Sequence, residues 1–143
     1  AAKDAQFPMP HPSVNAVPFD SAEAAWFWFI QANQARIDRA RIARGLSDVY
    51  LMRIEQLYPV PTVPLTEELG RFKNAEFVWC QEEPKNAGAW SFIEPEIETL
   101  LVKIGAKFSR PRYAGRIASA SPATGLASKH KAEQTALVND ALA

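Results

Sequence analysis

The spacing of apolar residues predicts a helix in the first third of the chain. Residues 20–23 (Asp-Ser-Ala-Glu) form a capping box, in which the first side chain accepts from a helical N–H and the glutamate reaches back. Apolar residues then recur at three- to four-residue spacing from Trp26 to Ala40, and Gly45 suits a C-terminal stop. We therefore predict one amphipathic, aromatic helix from Ser21 to Arg44, within a segment spanning residues 20–45.

Two short apolar runs predict strands that are buried on both faces. Residues 48–57 combine β-branched and aromatic side chains with a mostly apolar start, and Glu76–Gln81 form a second run. Between them, Pro64 fits the first turn of a short helix that continues to Phe72. Because the order is strand, helix, strand at this spacing, we predict a right-handed parallel crossover.

The last third of the chain predicts further elements. Apolar residues repeat at helical spacing from Ser91 to Ile104, a short strand fits Arg112–Arg116, and a closing helix fits Ser128–Leu142. The alternation of strands and helices predicts an α/β fold with a small, mostly parallel sheet and flanking helices. We expect this α/β domain to span residues 46–143.

The N-terminal segment and the composition limit the classes of function. Four prolines in residues 1–19 predict a Pro-rich extended arm, because proline interrupts helices and central strands. Sixteen basic residues balance sixteen acidic residues, so no net field attracts nucleic acid or a membrane surface. The longest apolar run, Ala24–Ile30, is too short for a membrane span of about 20 residues. A single cysteine, Cys80, excludes an internal disulfide and fits a reducing compartment, the cytoplasm or an organelle matrix.

Acidic residues at the end of a predicted strand are the main local candidates for chemistry. Glu82 and Glu83 directly follow the second strand, where open α/β sheets place ligands. A solvated or ion-paired turn is the alternative, and it is the commoner setting for paired carboxylates on a surface. Cys80 lies in a buried-type strand, where a thiol is usually an inert apolar side chain. His11 and His130 have no neighbouring ligands at metal-site spacing, so we expect both on the surface.

The aromatic residues of the first predicted helix indicate a second contact. The run Trp26–Phe29 places aromatic side chains on all sides of a helix, so Phe27 and Trp28 would form an exposed patch on a monomer. An interface and a simple core role fit this pattern equally well. The sequence contains no glycine-rich phosphate loop and no G-x-S-x-G elbow, so nucleotide binding and acyl-transfer hydrolysis have no local support.

Several long motifs follow one another from about Arg44 onward. They are Arg53–Pro59 (RIEQLYP), residues 74–86 (NAEFVWCQEEPKN), Gly88–Trp90 (GAW), Arg112–Arg116 (RYAGR) and Ser119–Gly125 (SASPATG). Over residues 44–142 these motifs resemble the C-terminal domain of the decarboxylating, thiamine-diphosphate-dependent component of 2-oxoglutarate dehydrogenase. The fold of that domain is similar to a transketolase C-terminal domain. Residues 1–42 do not match the family.

The resemblance implies a domain that is inactive alone. In the family, domains upstream bind thiamine diphosphate and magnesium, while the C-terminal domain completes the subunit and helps to form its dimer interface. The parent enzyme, of the tricarboxylic acid cycle, oxidatively decarboxylates 2-oxoglutarate and passes the acyl group to lipoamide. The implied partners are other domains of the parent subunit or a homodimer mate, and the lipoyl acyltransferase component of the multienzyme complex. The implied location is a bacterial cytoplasm or the mitochondrial matrix.

The resemblance assigns no catalytic, cofactor-binding or metal-binding residue to this chain. The candidate ligand or interface positions are Phe27, Trp28, Glu82, Glu83, Trp90, Arg112 and Arg116.

The start of the chain departs from the family pattern. The family's domain opens with a strand ending in Ser-Gly-Lys and then a helix, whereas here a Pro-rich arm and an aromatic helix precede residue 44. We therefore expect the sheet to lack its first strand, and Trp26–Ile30 to pack as a helix where the family's first helix lies. A non-catalytic assembly or regulatory interaction module, natural or chimeric, is the main alternative function. A stand-alone enzyme that uses Glu82 and Glu83 is a third.

Overall fold

The computed structural model describes the backbone of residues 26–30 and 34–143, and the side chains of residues 35–143. Its strands are β1 (Trp26–Ile30), β2 (Val49–Met52), β3 (Glu76–Pro84) and β4 (Arg112–Arg116). Its helices are α1 (Gln34–Ala43), α2 (Thr62–Leu69), α3 (Trp90–Ile104) and α4 (Ala127–Ala141), with a 3-10 turn at Gly70–Phe72. The predicted arm at residues 1–19 lies outside the described residues.

The described strands form one parallel sheet in the order β2-β1-β3-β4. In its interior, Trp28 of β1 pairs with Leu51 of β2 on one side and with Val78 of β3 on the other. A helix follows each strand, so successive strands are connected by the crossovers that a parallel sheet requires. The predicted α/β class, with a small parallel sheet and flanking helices, is confirmed. The likeness to a transketolase C-terminal domain stays a prediction.

The predicted helix over Ser21–Arg44 is wrong at Trp26–Ile30, which form the interior strand β1. The helix in this part of the chain is α1, which begins at Gln34. The physical reason is that a run of aromatic and β-branched residues also suits a strand buried on both faces, and periodicity does not separate it from a helix segment. The sheet accordingly has a strand ahead of α1, which the sequence analysis expected to be missing.

The other predicted elements are confirmed, with shifts at their ends. The first of the two predicted buried strands is short, because β2 ends at Met52 rather than at Leu57. The second is longer than predicted and continues past Gln81 to Pro84. The strand at Arg112–Arg116 has the predicted bounds.

The sheet separates two apolar cores, and its side chains alternate between them. The core shared with α2 and α3 contains Tyr50, Met52, Phe77 and Trp79 of the strands, with Leu65, Leu69, Ile93 and Ile97 of the helices. The core shared with α1 and α4 contains Val49, Leu51, Val78, Cys80 and Ala114 of the strands, with Ile37, Leu137 and Ala141 of the helices. Both faces of β2 and β3 are therefore covered by helices.

A polar cluster joins the sheet to α2, with Tyr50 and Glu68 buried and Arg71 exposed. The Tyr50 hydroxyl donates to Glu68 Oε1 at 2.8 Å, and Arg71 Nη1 donates to both Glu68 oxygens at 2.7 and 2.9 Å. Burial raises the pKa of the Tyr50 phenol, and the hydrogen bond to Glu68 raises it further. Because this folded-state pKa lies above the unfolded value, the phenol contributes stability below about pH 10 that is lost as the pH rises further.

Replacing Tyr50→Phe should lower the free energy of unfolding by about 1–3 kcal/mol at neutral pH, because a hydrogen bond to a carboxylate is lost. Above about pH 10 the unmodified chain should lose stability, and the variant should lose less because the phenol that ionises on unfolding is gone. Urea denaturation across this pH range measures both effects. Tyr58→Phe, at a tyrosine that is 84% exposed, is the matched control and should stay within about 0.5 kcal/mol. An alkaline loss of stability that is identical in all three proteins would contradict this account.

Candidate functional site

The carboxyl end of β3 leaves the regular ladder just where the predicted acidic pair lies. Cys80 pairs with Ala114 and Pro84 pairs with Arg116, so β3 carries two more residues than β4 between these pairs. Extra residues of this kind bend a strand and redirect its side chains. The bulge holds Glu82 and Glu83 at the carboxyl edge of the sheet.

The side-chain amide of Gln81 holds this bulge in place. It is 0% exposed, and its Oε1 accepts from Trp79 Nε1 at 2.9 Å and from the backbone N–H of Trp90 at 3.0 Å. Its Nε2 donates to the carbonyls of Pro84 at 3.1 Å and Glu83 at 3.3 Å. One buried amide therefore ties the end of β3 to the start of α3. The sequence analysis missed this role, and the available signal was a glutamine directly after a buried apolar run, because a buried amide requires partners.

Tyr113 supports the bulge from the neighbouring strand. Its hydroxyl lies 2.9 Å from the carbonyl of Arg116 and 3.1 Å from that of Glu83, and it donates to this pair of oxygens. Burial raises the pKa of Tyr113 to about 12, so the hydroxyl keeps its proton at neutral pH. A Cβ at Gly115 would lie 2.5 Å from this hydroxyl, so the strand needs a glycine there. Trp90, one of the candidate interface residues, is buried with its ring centroid 5.2 Å from that of Tyr113.

The two candidate arginines join β4 to α4. Arg116 has a side chain that is only 9% exposed, and its Nε lies 2.9 Å from Glu133 Oε2. The Nε–H is not directed at that oxygen, so this contact is an ion pair without a hydrogen bond, while Nη1 donates to the Pro122 carbonyl at 3.0 Å. A hydrogen bond from Thr124 lowers the pKa of Glu133, and the charges of Arg116 and its other basic neighbours lower it further.

Arg112 makes the second link between β4 and α4. Its guanidinium lies 3.1 Å from the Asp140 carboxylate and 3.4 Å from the Glu76 carboxylate. It also donates to the Asp140 backbone carbonyl at 3.1 Å. Both candidate arginines therefore serve as links within the domain.

A cavity of about 260 Å³ lies between the β3 bulge, the segment after β4 and α4. Residues that line it include Glu82, Glu83, Arg116, Thr124, His130 and Gln134. Oε2 of Glu83 is buried and has no hydrogen-bond partner in the described part of the chain. The structure thus brings the predicted acidic pair and Arg116 to one cavity. A ligand at these positions stays a prediction.

The remaining candidates divide between the core and the undescribed segment. Cys80 is buried, and burial raises its pKa to about 12, with the charge of Asp140 adding to the shift. The thiol is therefore protonated at neutral pH, which is unfavourable for a nucleophile. The side chains of Phe27 and Trp28 and the whole of His11 lie outside what the structure describes, so the predicted aromatic interface stays a prediction.

The described residues contain neither a metal-binding group nor a membrane-spanning helix. Within them, no group of three or more His, Cys, Asp or Glu side chains is arranged to hold a metal ion. Over the same residues, no helix combines the length and apolar character that are needed to cross a membrane.

The Gln81 network gives a test of what positions the site. Gln81→Leu keeps a similar volume but removes the buried acceptor of the Trp79 indole N–H and of the Trp90 N–H. The carbonyls of Glu83 and Pro84 lose one donor each but keep the Tyr113 hydroxyl and the Ala87 N–H. Since each buried unsatisfied group costs about 1–3 kcal/mol, the free energy of unfolding should fall by at least about 2 kcal/mol in urea denaturation. The control Gln56→Leu removes an exposed glutamine that donates to the Pro59 carbonyl at 2.8 Å, and should cost less than about 1 kcal/mol. Equal costs at the two positions would show that the buried amide is not required.

Comparison with known proteins gives the family. A model of the family described as 2-oxoglutarate dehydrogenase C-terminal matches residues 34–142, which confirms the resemblance predicted over residues 44–142. The expectation that residues 1–42 do not match the family is wrong for residues 34–42, which form most of α1. Proteins named "2-oxoglutarate dehydrogenase E1 component" from Brucella anthropi, Brucella ovis and Brucella canis are each 63% identical to the chain over 102 residues. Each alignment covers 71% of this chain and 10% of the relative, so the chain spans about a tenth of the length of these curated relatives. The chain therefore belongs to the 2-oxoglutarate dehydrogenase C-terminal family.

Proposed function

We propose that the chain serves as the C-terminal domain of a 2-oxoglutarate dehydrogenase E1-type subunit, and that it docks against the rest of that subunit through the carboxyl edge of its sheet. In this proposal the domain itself carries no step of the reaction. Two kinds of observation support it. Exposed apolar side chains lie at one edge of the sheet, and the candidate residues Trp90, Arg112 and Arg116 make contacts within the domain. The family relationship identifies 2-oxoglutarate dehydrogenase as the parent enzyme in this proposal.

The distribution of exposed apolar side chains carries the proposal. Large apolar side chains that are 45% to 85% exposed occur in the segments that follow the carboxyl ends of β2, β3 and β4. We call them the edge surface, which consists of Tyr58, Val63, Phe92, Ile117 and Leu126. In a parallel sheet these segments emerge at the same edge, because each strand runs in the same direction. Several exposed large apolar side chains at one edge of a sheet are typical of a surface that another protein covers.

The occupant that we propose for the edge surface is the rest of the same subunit. The curated relatives are about ten times as long as the matched segment, so a domain of this family is accompanied in those proteins by a large additional chain. The other large exposed apolar residues in the described part of the chain lie near the C-terminal ends of α1 and α3. They are Ile42, Val102 and Phe108. They therefore lie towards the amino edge of the sheet, opposite the edge surface, and can be mutated as a control.

The polar candidates support a structural role. Arg112 and Arg116 are engaged with acids of α4 and with a backbone carbonyl each. Trp90 packs on Tyr113 and donates its backbone N–H to Gln81. These contacts stabilise the edge of the sheet. They do not hold a nucleophile or an acid–base pair at the cavity.

The whole subunit would carry the activity that the relatives' name states. It would decarboxylate 2-oxoglutarate with thiamine diphosphate and magnesium, and transfer the acyl group to lipoamide on an acyltransferase partner. The described residues of this chain do not fit a magnesium diphosphate site, because no three of their His, Cys, Asp or Glu side chains are grouped to hold a metal ion. We therefore assign no step of that reaction to them. A bacterial cytoplasm is the proposed location, since the relatives are Brucella proteins.

The test grafts residues 34–142 into the Brucella anthropi E1 component in place of its matching region. Ile117→Gln with Leu126→Gln should destabilise the grafted subunit and reduce its 2-oxoglutarate decarboxylation at least about tenfold, because roughly 1–2 kcal/mol of apolar burial is lost per side chain. In the isolated 143-residue chain both positions are exposed, so the same pair should change the free energy of unfolding by less than about 1 kcal/mol. Thermal denaturation and turnover measure these effects.

Val102→Gln with Phe108→Gln is the matched control, since both residues are exposed towards the opposite edge. This pair should leave the grafted subunit as active as the unmodified graft. Equal loss from the two pairs would contradict docking through the edge surface. Turnover by the isolated chain with added cofactor would contradict the non-catalytic role. The isolated chain could instead form dimers that the Ile117→Gln, Leu126→Gln pair dissociates and the control pair does not. That result would identify a second copy of the chain, and not the rest of the subunit, as the occupant of the edge surface.

A further inference from the structure

A second cavity, of about 480 Å³, lies between α1 and α4. None of the edge-surface residues lines it, and it shares His130 and Gln134 with the smaller cavity beside Glu83. We call it the α1–α4 cleft. Its cationic lining consists of Arg36 and Arg44 of α1 and Lys131 of α4, and His130 also borders it. Ala40 and Val138 contribute apolar surface. The proposed docking function does not use this cleft.

The cleft has an excess of positive charge that the chain as a whole does not have. Basic and acidic residues are equal in number in the full sequence, but none of the described residues that line the cleft is acidic. The acids of the two helices are engaged elsewhere. Asp38 pairs with Arg41 at 2.8 Å, Glu133 with Arg116 at 2.9 Å and Asp140 with Arg112 at 3.1 Å. The positive charges of the cleft therefore have no carboxylate among its lining residues to neutralise them.

Neutral amides hold two of these cations in position. Arg36 Nη1 donates to Gln134 Oε1, and Arg44 Nη2 donates to Asn139 Oδ1, both across the gap between the helices. A hydrogen bond to an amide orients a guanidinium without cancelling its charge, and each guanidinium keeps further N–H donors. The two arginines are thus positioned over α4 with charge and donors available to a ligand.

We propose that the α1–α4 cleft binds a small molecule that carries two or more phosphate or carboxylate groups. Arginine donors match the oxygens of such groups, and bonds between two charged partners are the stronger class of hydrogen bond. The cavity volume lies within the range of about 300–1,000 Å³ that is usual for small-molecule sites. The apolar contribution of Ala40 and Val138 suits the carbon body of such a ligand. This site is independent of the proposed docking function.

The test titrates the 143-residue chain with pyrophosphate and, separately, with citrate, by isothermal titration calorimetry. At least one of the two should bind with a dissociation constant of about 1 mM or lower. Arg36→Gln with Arg44→Gln should weaken that binding about tenfold or more, because charge-assisted hydrogen bonds are lost. Binding of pyrophosphate alone identifies phosphate as the recognised group, and binding of citrate alone identifies carboxylate. Either result supports the site.

The matched control is Arg53→Gln with Arg110→Gln, which removes the same charge at exposed arginines that pair with Glu55 and Glu98 outside the cleft. It should change the affinity by less than about twofold, after allowance for screening at moderate ionic strength. Because the arginines of the cleft also connect α1 to α4, Lys131→Gln is a second variant that leaves those hydrogen bonds intact. It should weaken binding about threefold or more. Absence of binding by both anions, or equal weakening by the cleft pair and the control pair, would overturn the proposal.

Discussion

The burial of β3 on both faces is the constraint on which the rest of the structure depends. A strand in the interior of a parallel sheet must present apolar side chains to helices on each side, and Phe77 to Cys80 do so by alternation. The apolar run cannot continue past the edge of the sheet without exposing itself to water. At that point the sequence changes to Gln81, Glu82 and Glu83, and the chain bulges. The buried core and the polar edge are thus consequences of one strand.

The bulge is stable because its backbone groups have partners. Buried carbonyls without partners cost free energy, and here the Glu83 carbonyl accepts from the Gln81 amide and the Tyr113 hydroxyl. The carbonyls of Pro84 and Arg116 each accept from one of these side chains and from a backbone N–H. The same amide accepts the Trp90 N–H at the start of α3. The edge that we propose as a docking surface is therefore positioned by the interior of the domain. The same hydrogen bonds hold the backbone at Glu83 and Pro84 in place.

The placement of α4 links the two proposed surfaces. Arg112 and Arg116 at the end of the sheet engage Asp140 and Glu133, which are the acids of α4. These ion pairs engage both acids of α4, so the α4 residues that line the cleft are basic, neutral polar or apolar. The same ion pairs connect the carboxyl edge of the sheet to α4, and the charged residues of α4 that line the α1–α4 cleft are basic. One set of ion pairs therefore shapes both regions.

The sequence by itself determined the fold class, most elements and the family. The runs around β3, α3 and α4 are long or strongly patterned, so their type follows from periodicity and burial. It did not determine β1, because five apolar residues fit a strand and a helix segment equally, and only pairing with β2 and β3 selects the strand. The sequence did predict the position of Glu82 and Glu83 at the carboxyl edge, since parallel strands all end at the same edge of a sheet.

Only the tertiary structure decided which polar groups meet. The Gln81 network, the cavity beside Glu83 and the α1–α4 cleft depend on contacts between distant segments. Arg36 and Gln134, for example, are 98 residues apart in the chain. Local patterns report whether a residue is buried or exposed on its own element, but not which element packs against it. For that reason the sequence predicted the residues of the carboxyl edge one by one. Their partners, and the α1–α4 cleft, follow only from the packing of the helices on the sheet.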